Sequence, residues 1–190
     1  MEYMDALAAR RTQYVLNRTL PAAEEDVIAA ITEAVRLTPD AFNMRSTRAV
    51  IAVGRQQDAL WDAVYEAFGG KVAREKIDGF RAAYGTVLYW IDERVTAAMQ
   101  EAFPRYAENF PIWANQASGM AQFNVWTVLR TIGVGANLQH YNPVIDDSLR
   151  ALFDLPREWQ LAAQMPFGGI GGPAADKESE DIGARVLVRR

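Results

Sequence analysis

The chain predicts an α+β domain, a three-to-five-stranded sheet set among many helices. Three observations carry this prediction. The run Gly85 to Ile91 (GTVLYWI) is continuously apolar and short, as in a strand buried on both faces. Two more strand-like segments, Arg48–Gly54 and Trp159–Met165, are separated by stretches of helical periodicity. Between Pro111 and Ile132, apolar residues recur at three-and-four spacing, the mark of a helix with a buried face. With 190 residues, the whole chain from 1 to 190 reads as one domain large enough for a real core.

Taken in order, Glu2 to Ala9 reads as a short amphipathic helix with Tyr3, Met4 and Leu7 on one side, and Arg10-Arg11 follow it. Thr12 to Leu16 leads into a loop ending at Pro21. A helix over Ala23–Leu37 opens with Glu24, Glu25 and Asp26, which suit the helix dipole, and stops before Pro39. An irregular segment from Pro39 to Thr47 precedes the Arg48–Gly54 strand. Gln57–Phe68 and Val72–Ala83 read as helices separated by Gly69-Gly70, and Glu93–Phe103 as a helix stopped before Pro104. Ile145–Phe153 is a further short helix. The Trp159–Met165 strand ends in Pro166-Phe167-Gly168-Gly169. Near the end, Arg185-Val186-Leu187-Val188-Arg189 alternates, as a terminal strand paired with a partner subunit would.

The long central helix is unusual because no charge occurs from Asn109 to Leu129 in a chain that is 23% charged. Trp113, Ala117, Met120, Ala121, Val125, Val128, Leu129 and Ile132 form its apolar side. Asn115, Gln116, Ser118, Gln122, Asn124 and Thr127 occupy the rest, too many amides and hydroxyls for a membrane span. A central or interface helix enclosed by protein on nearly all sides is expected. It stops at Gly133, and the chain runs through Gly135 into Asn137-Leu138-Gln139-His140-Tyr141-Asn142.

Composition excludes several function classes. Half the residues are hydrophobic and 11% are aromatic, which argues against disorder. A net charge of −4 without a basic stripe gives no reason to expect nucleic acid. The absence of cysteine removes disulfides and thiolate chemistry, and a lone histidine, His140, removes a multi-histidine metal centre. The first residues, MEYMDALAARR, lack a secretory signal's apolar core, so a cytoplasmic location is expected.

Three separated places resemble the FMN-dependent nitroreductase family. Arg10-Arg11-Thr12 is similar to its Arg-Arg-Ser entry motif, and Pro39-x-x-x-Asn43-x-Arg45-Ser46 to its Pro-Ser-x-x-Asn-x-Gln motif. Gly133 to His140 sits where the family places a loop against the flavin ring. The strings TPDAFN, YGTVLYW, FPIWANQASGMAQFNVWT, LQHYNP and QMPFGG resemble a compact fungal and bacterial branch linked to lipid signalling and oxidative stress. Arg45 replaces the usual Gln, Asp40 a Ser, and Gln139-His140 a hydrophobic–Glu pair. The resemblance implies a central, mostly antiparallel sheet surrounded by helices, in an intertwined homodimer with one FMN per subunit at the interface.

It also implies a division of labour. Arg10, Arg11, Thr12 and Tyr14, with Lys177, would meet the phosphate and ribityl chain of FMN; Arg10 and Arg11 read equally well as caps of the first helix. Asn43 and Arg45 would reach the flavin across the homodimer interface. A guanidinium there would stabilise the charge of reduced flavin, the alternative being an Arg45–carboxylate pair. Leu138, Gln139 and His140 would pack on the flavin, with His140 structural rather than catalytic. Tyr106, Phe110 and Trp113 would roof a pocket for a small flat aromatic acceptor, or form part of a dimer core. No protein side chain is needed as a catalyst, since flavin N5 carries hydride from NADH or NADPH to a nitroaromatic or quinone-like acceptor. A flavin-binding redox sensor or regulator with little turnover is the competing class.

Overall fold

The computed structural model describes residues 2–190. Its elements are α1 (Tyr3–Ala9), β1 (Leu16–Asn17), α2 (Glu24–Leu37), β2 (Thr47–Val53), α3 (Arg55–Ala67), α4 (Arg74–Arg81), β3 (Gly85–Asp92), α5 (Glu93–Ala102), α6 (Asn109–Thr131), β4 (Gly135–Ala136), α7 (Asp146–Leu152) and β5 (Trp159–Ile170). The sheet is antiparallel in every pairing, in the order β1-β5-β3-β2, with β4 also on β5.

Central β3 explains its own composition. All of its residues are buried, because helices cover both faces of the sheet. Val87 and Tyr89 pack with Val27 and Ile31 of α2 and Val125 and Leu129 of α6. The alternate residues Leu88 and Trp90 pack with Leu60, Trp61 and Val64 of α3, Ile77 of α4 and Leu149 of α7. The period-two alternation of a strand thus feeds two separate cores.

The elements lie close to their sequence-based positions, with instructive differences. Strand β5 runs on through Pro166-Phe167-Gly168-Gly169, residues that read as a stop. These glycines continue the strand because β1 lies against them: a Cβ on Gly169 would stand 2.1 Å from the Thr19 carbonyl oxygen. The two-residue strands β1 and β4 are too short to leave a periodic signal. The alternating tail forms no strand within the chain; Val186, Leu187 and Val188 are exposed beyond a 3₁₀ turn over Ile182–Ala184.

Helix α6 also departs from expectation. Ser118 and Thr127 are buried, whereas Met120, expected on the apolar side, is exposed along with Ile112 and Phe123. One chain therefore does not enclose the helix, and an uncharged apolar strip is left open. Its end follows the expected rule. Gly133 has a φ of +80°, with Gly133 N–H donating to Arg130 O and Val134 N–H to Leu129 O, the paired bonds of a glycine-terminated helix.

Candidate functional site

Arg10 ends α1 as its C-cap, its N–H donating to Ala6 O at 2.9 Å, while its side chain makes its contacts elsewhere. The Arg10 guanidinium lies 4.5 Å from the Trp126 ring and 5.7 Å from that of Phe123, both on α6. Its Nε is buried without a hydrogen-bond partner, and burial followed by the neighbouring Arg11 charge lowers its pKa. Arg11 donates from Nη2 to the Ala175 carbonyl, tying the start of the chain to its tail. Arg10, Arg11, Thr12, Tyr14 and Lys177 consequently line one cleft of about 480 Å³, with Asp176 at its edge. Residues from opposite ends of the sequence meet here, which no local pattern reveals.

The Arg10–Tyr14 segment lies beside the loop that follows α6. Thr12 bridges Ala136, Gln13 N–H donates to Ala136 O at 3.0 Å, and Asn137 Nδ2 donates to Gln13 O at 2.8 Å. Asn137 is fully buried, and its Oδ1 accepts from Gln139 Nε2 at 2.8 Å. This asparagine, absent from the expected site residues, adds a buried side-chain tie to the backbone bonds that fasten the two segments together. The N–H groups of Asn137 and Gln139 donate to Pro166 and Gln164 of β5. Strand alternation turns the N–H groups of Leu138 and His140 away from β5. Leu138 packs against the core of β3, whereas the His140 side chain is exposed. Gly135 is a packing residue, since a Cβ there would meet Ile170 at 2.7 Å.

Asn43 and Arg45 line a different cleft, of about 470 Å³, with Thr38, Asp40, Thr47 and Ala117. A single chain does not bring them together with Arg10–Tyr14. Both have positive φ, 52° and 55°, and so does Phe42 at 54°. Three non-glycine residues in this region within four positions make a strained loop, a feature concentrated at functional sites. Among the described residues the Arg45 side chain pairs with no carboxylate; its Nε lies 3.4 Å from Asn43 Oδ1.

Tyr106 and Trp113 belong to an exposed aromatic cluster whose centre is Phe42. The Phe42 ring lies 4.9 Å from Phe103, 5.9 Å from Tyr106, 5.3 Å from Phe110 and 5.8 Å from Trp113. Phe42 and Tyr106 are exposed, but Phe110 is fully enclosed with Met44, Ile91 and Ala114. Phe110 thus supports the cluster from beneath rather than facing solvent. Phe42 escaped sequence reasoning, although its place beside Asn43 was a signal. Among the described residues no group of His, Cys, Asp and Glu is arranged to hold a metal ion. No helix there is long and apolar enough to cross a membrane.

Comparison with known proteins agrees with this geometry. The model of the nitroreductase family matches residues 7–169. Nitroreductase FRM2 of Saccharomyces cerevisiae is 38% identical over 169 residues, 87% of this chain and 86% of its own. Nitroreductase CinD from Lactococcus lactis in complex with chloramphenicol is 44% identical, covers both chains completely and superposes with a TM-score of 0.95. The same enzyme in complex with 4-nitrophenol gives a TM-score of 0.92 at 43% identity, again over both whole chains. A Desulfovibrio desulfuricans protein in complex with FMN shares the fold at 16% identity, covering 100% of this chain and 98% of its own, with a TM-score of 0.75.

The chain belongs to the nitroreductase family and has its fold. It is an oxidoreductase of the nitroreductase type.

Proposed function

We propose that the protein is an FMN-dependent NAD(P)H oxidoreductase reducing nitroaromatic or quinone-like acceptors by ping-pong hydride transfer, as a homodimer. The observation that carries this reading is the convergence of Arg10, Arg11, Thr12, Tyr14 and Lys177 on one cleft. Three cations and two hydroxyls suit a phosphate and a polyol chain, and the unpartnered buried Arg10 Nε leaves a donor to be satisfied. The donor set fits FMN. Held there, FMN would supply the hydride chemistry that links NADH or NADPH to the acceptor.

The side chains bind, orient and neutralise. Arg10, Arg11 and Lys177 offset the phosphate charge, while Thr12 and Tyr14 offer hydroxyls to the ribityl end. The outward N–H groups of Leu138 and His140 would be free to donate to the flavin, and Gln139 holds that segment on β5. Asn43 and Arg45 contribute from the other protomer, which accounts for their separate cleft in one chain. The open strip of Ile112, Met120 and Phe123 on α6 supports this dimer, because an uncharged apolar strip suits the centre of an interface. Tyr106 and Trp113, each in contact with the other and with Phe42, and with Phe110 beneath, offer aromatic faces to a flat acceptor. The CinD complexes with chloramphenicol and 4-nitrophenol support this acceptor class.

The test is the visible spectrum of the purified protein under anaerobic addition of NADH or NADPH, then of 4-nitrophenol or a quinone. Flavin bands that bleach with the nicotinamide and return with the acceptor are expected. Bands that no nicotinamide bleaches would favour a flavin-binding sensor. Absence of flavin, with no binding of added FMN, would overturn the proposal.

A further inference from the structure

The strained loop that carries Asn43 and Arg45 is gripped from both sides, by Asp40 and by Arg48. On one side, Asp40 Oδ2 accepts from the Ser46 N–H at 2.7 Å and from the Ser46 hydroxyl at 2.8 Å. On the other, Arg48 Nη1 donates to the Arg45 carbonyl at 2.5 Å and to the Thr47 carbonyl at 3.2 Å. Arg48 is itself held: its Nη2 lies 3.1 Å from Asp92 Oδ2, and its guanidinium sits 5.9 Å from the Trp159 ring. Asp92 is only 2% exposed, at the junction of β3 and α5. It also accepts from the Arg94 side chain at 2.9 and 2.8 Å.

We infer that Arg48, seated on the buried carboxylate of Asp92, is a positioning residue that holds the 40–46 loop in the left-handed conformation presenting Asn43 and Arg45. The inference rests on the reading that this loop faces the flavin of the other protomer. An L residue at positive φ reverts unless its surroundings over-determine it, and Arg45 has no glycine's freedom to stay there. A charged donor on its carbonyl, braced by a buried carboxylate, supplies that determination from the end of the central strand. Asp40 closes the opposite end. Arg94 shares Asp92 but touches no part of the loop, so it separates positioning from general support of the carboxylate.

Four variants of the holoenzyme test this: Arg48→Ala, Arg48→Lys, Arg94→Ala and Arg45→Ala. Two quantities are read, FMN dissociation from the fluorescence of released flavin and amide hydrogen exchange of residues 40–47. Arg48→Ala is expected to weaken FMN binding about tenfold and to speed exchange of the segment. Arg48→Lys, which keeps the charge but cannot span both carbonyls and Asp92, recovers part of each and guards against a variant that fails to fold. Arg94→Ala leaves both near wild type. If Arg48→Ala changes neither quantity more than about twofold, or if Arg94→Ala matches it, the positioning role is overturned. If Arg45→Ala leaves FMN affinity unchanged while Arg48→Ala still speeds exchange, the clamp stands and the reading that the loop faces flavin fails.

Discussion

The rings of Phe42 and Trp113 stack, with centroids 5.8 Å apart and planes inclined by 20°. Phe42 stands on the strained loop beside Asn43, and Trp113 on the first turns of α6. This contact joins the loop expected to meet the cofactor to the segment expected to roof the acceptor. Phe42→Ala should therefore raise KM for a nitroaromatic acceptor about fivefold to tenfold, losing about 1–1.4 kcal/mol of ring contact. Steady-state kinetics with 4-nitrophenol would check it, and an unchanged KM would remove Phe42 from the acceptor pocket.

Phe110 should behave differently from its exposed neighbours. It is fully enclosed against Met44, Ile91 and Ala114. Phe110→Ala should cost about 3–5 kcal/mol of stability, whereas Tyr106→Ala should cost under about 1 kcal/mol. Chemical denaturation of both variants distinguishes a buried support from an exposed wall.

Arg10 makes its principal contacts with aromatic faces, Trp126 and Phe123, and has a buried Nε without partner. Arg10→Lys retains a charge but not the planar fork, so FMN affinity should still fall about tenfold or more. Fluorescence titration of the apoprotein with FMN measures this. An affinity equal to wild type would show that the fork is not used.

Gly169 is required by a close approach rather than by a turn. A Cβ there would lie 2.1 Å from the Thr19 carbonyl oxygen and 2.4 Å from Asn17 Oδ1. Gly169→Ala should force β1 away from β5 and cost about 2–3 kcal/mol. A shift in the denaturation midpoint equivalent to less than about 0.5 kcal/mol would mean that the edge strand moves freely.

Asp92 governs an acid-side loss of stability. Hydrogen bonding from Arg94 first, then the Arg48 and Arg94 charges, hold its carboxyl below the ordinary value despite its burial. A carboxylate with a depressed folded pKa stabilises the protein above the unfolded value of about 3.9. That stabilisation is lost as pH falls through the folded value. Asp92→Asn should be less stable than wild type by about 1–3 kcal/mol near neutrality, and the gap should narrow below about pH 4. Asp146 acts in the opposite sense, because burial raises its pKa and favours the protonated form, so its contribution to stability declines as pH rises. Urea denaturation of wild type and Asp92→Asn at pH 3, 4 and 6 would test the sign; a gap independent of pH would assign the effect to packing.

What the sequence by itself determined was whatever depends on residues close together in the chain. The β3 run is apolar throughout because both faces are covered, and the α6 stop at Gly133 is a local backbone requirement. The Arg10–Thr12 and Asn43–Arg45 motifs stood out as short strings. What only the tertiary structure decided depends on partners distant in sequence. Lys177 reaches the Arg10 cleft because the tail is tied back through Arg11 and Ala175. Asn137 fastens two segments through Gln13, and the glycines of β5 continue a strand because β1 presses on them. Met120 fits the apolar periodicity of α6 yet is open to solvent, since periodicity identifies a face but not what covers it. Phe42 had no signal of its own beyond its neighbour, because its position follows from a left-handed backbone held by contacts the chain makes only when folded.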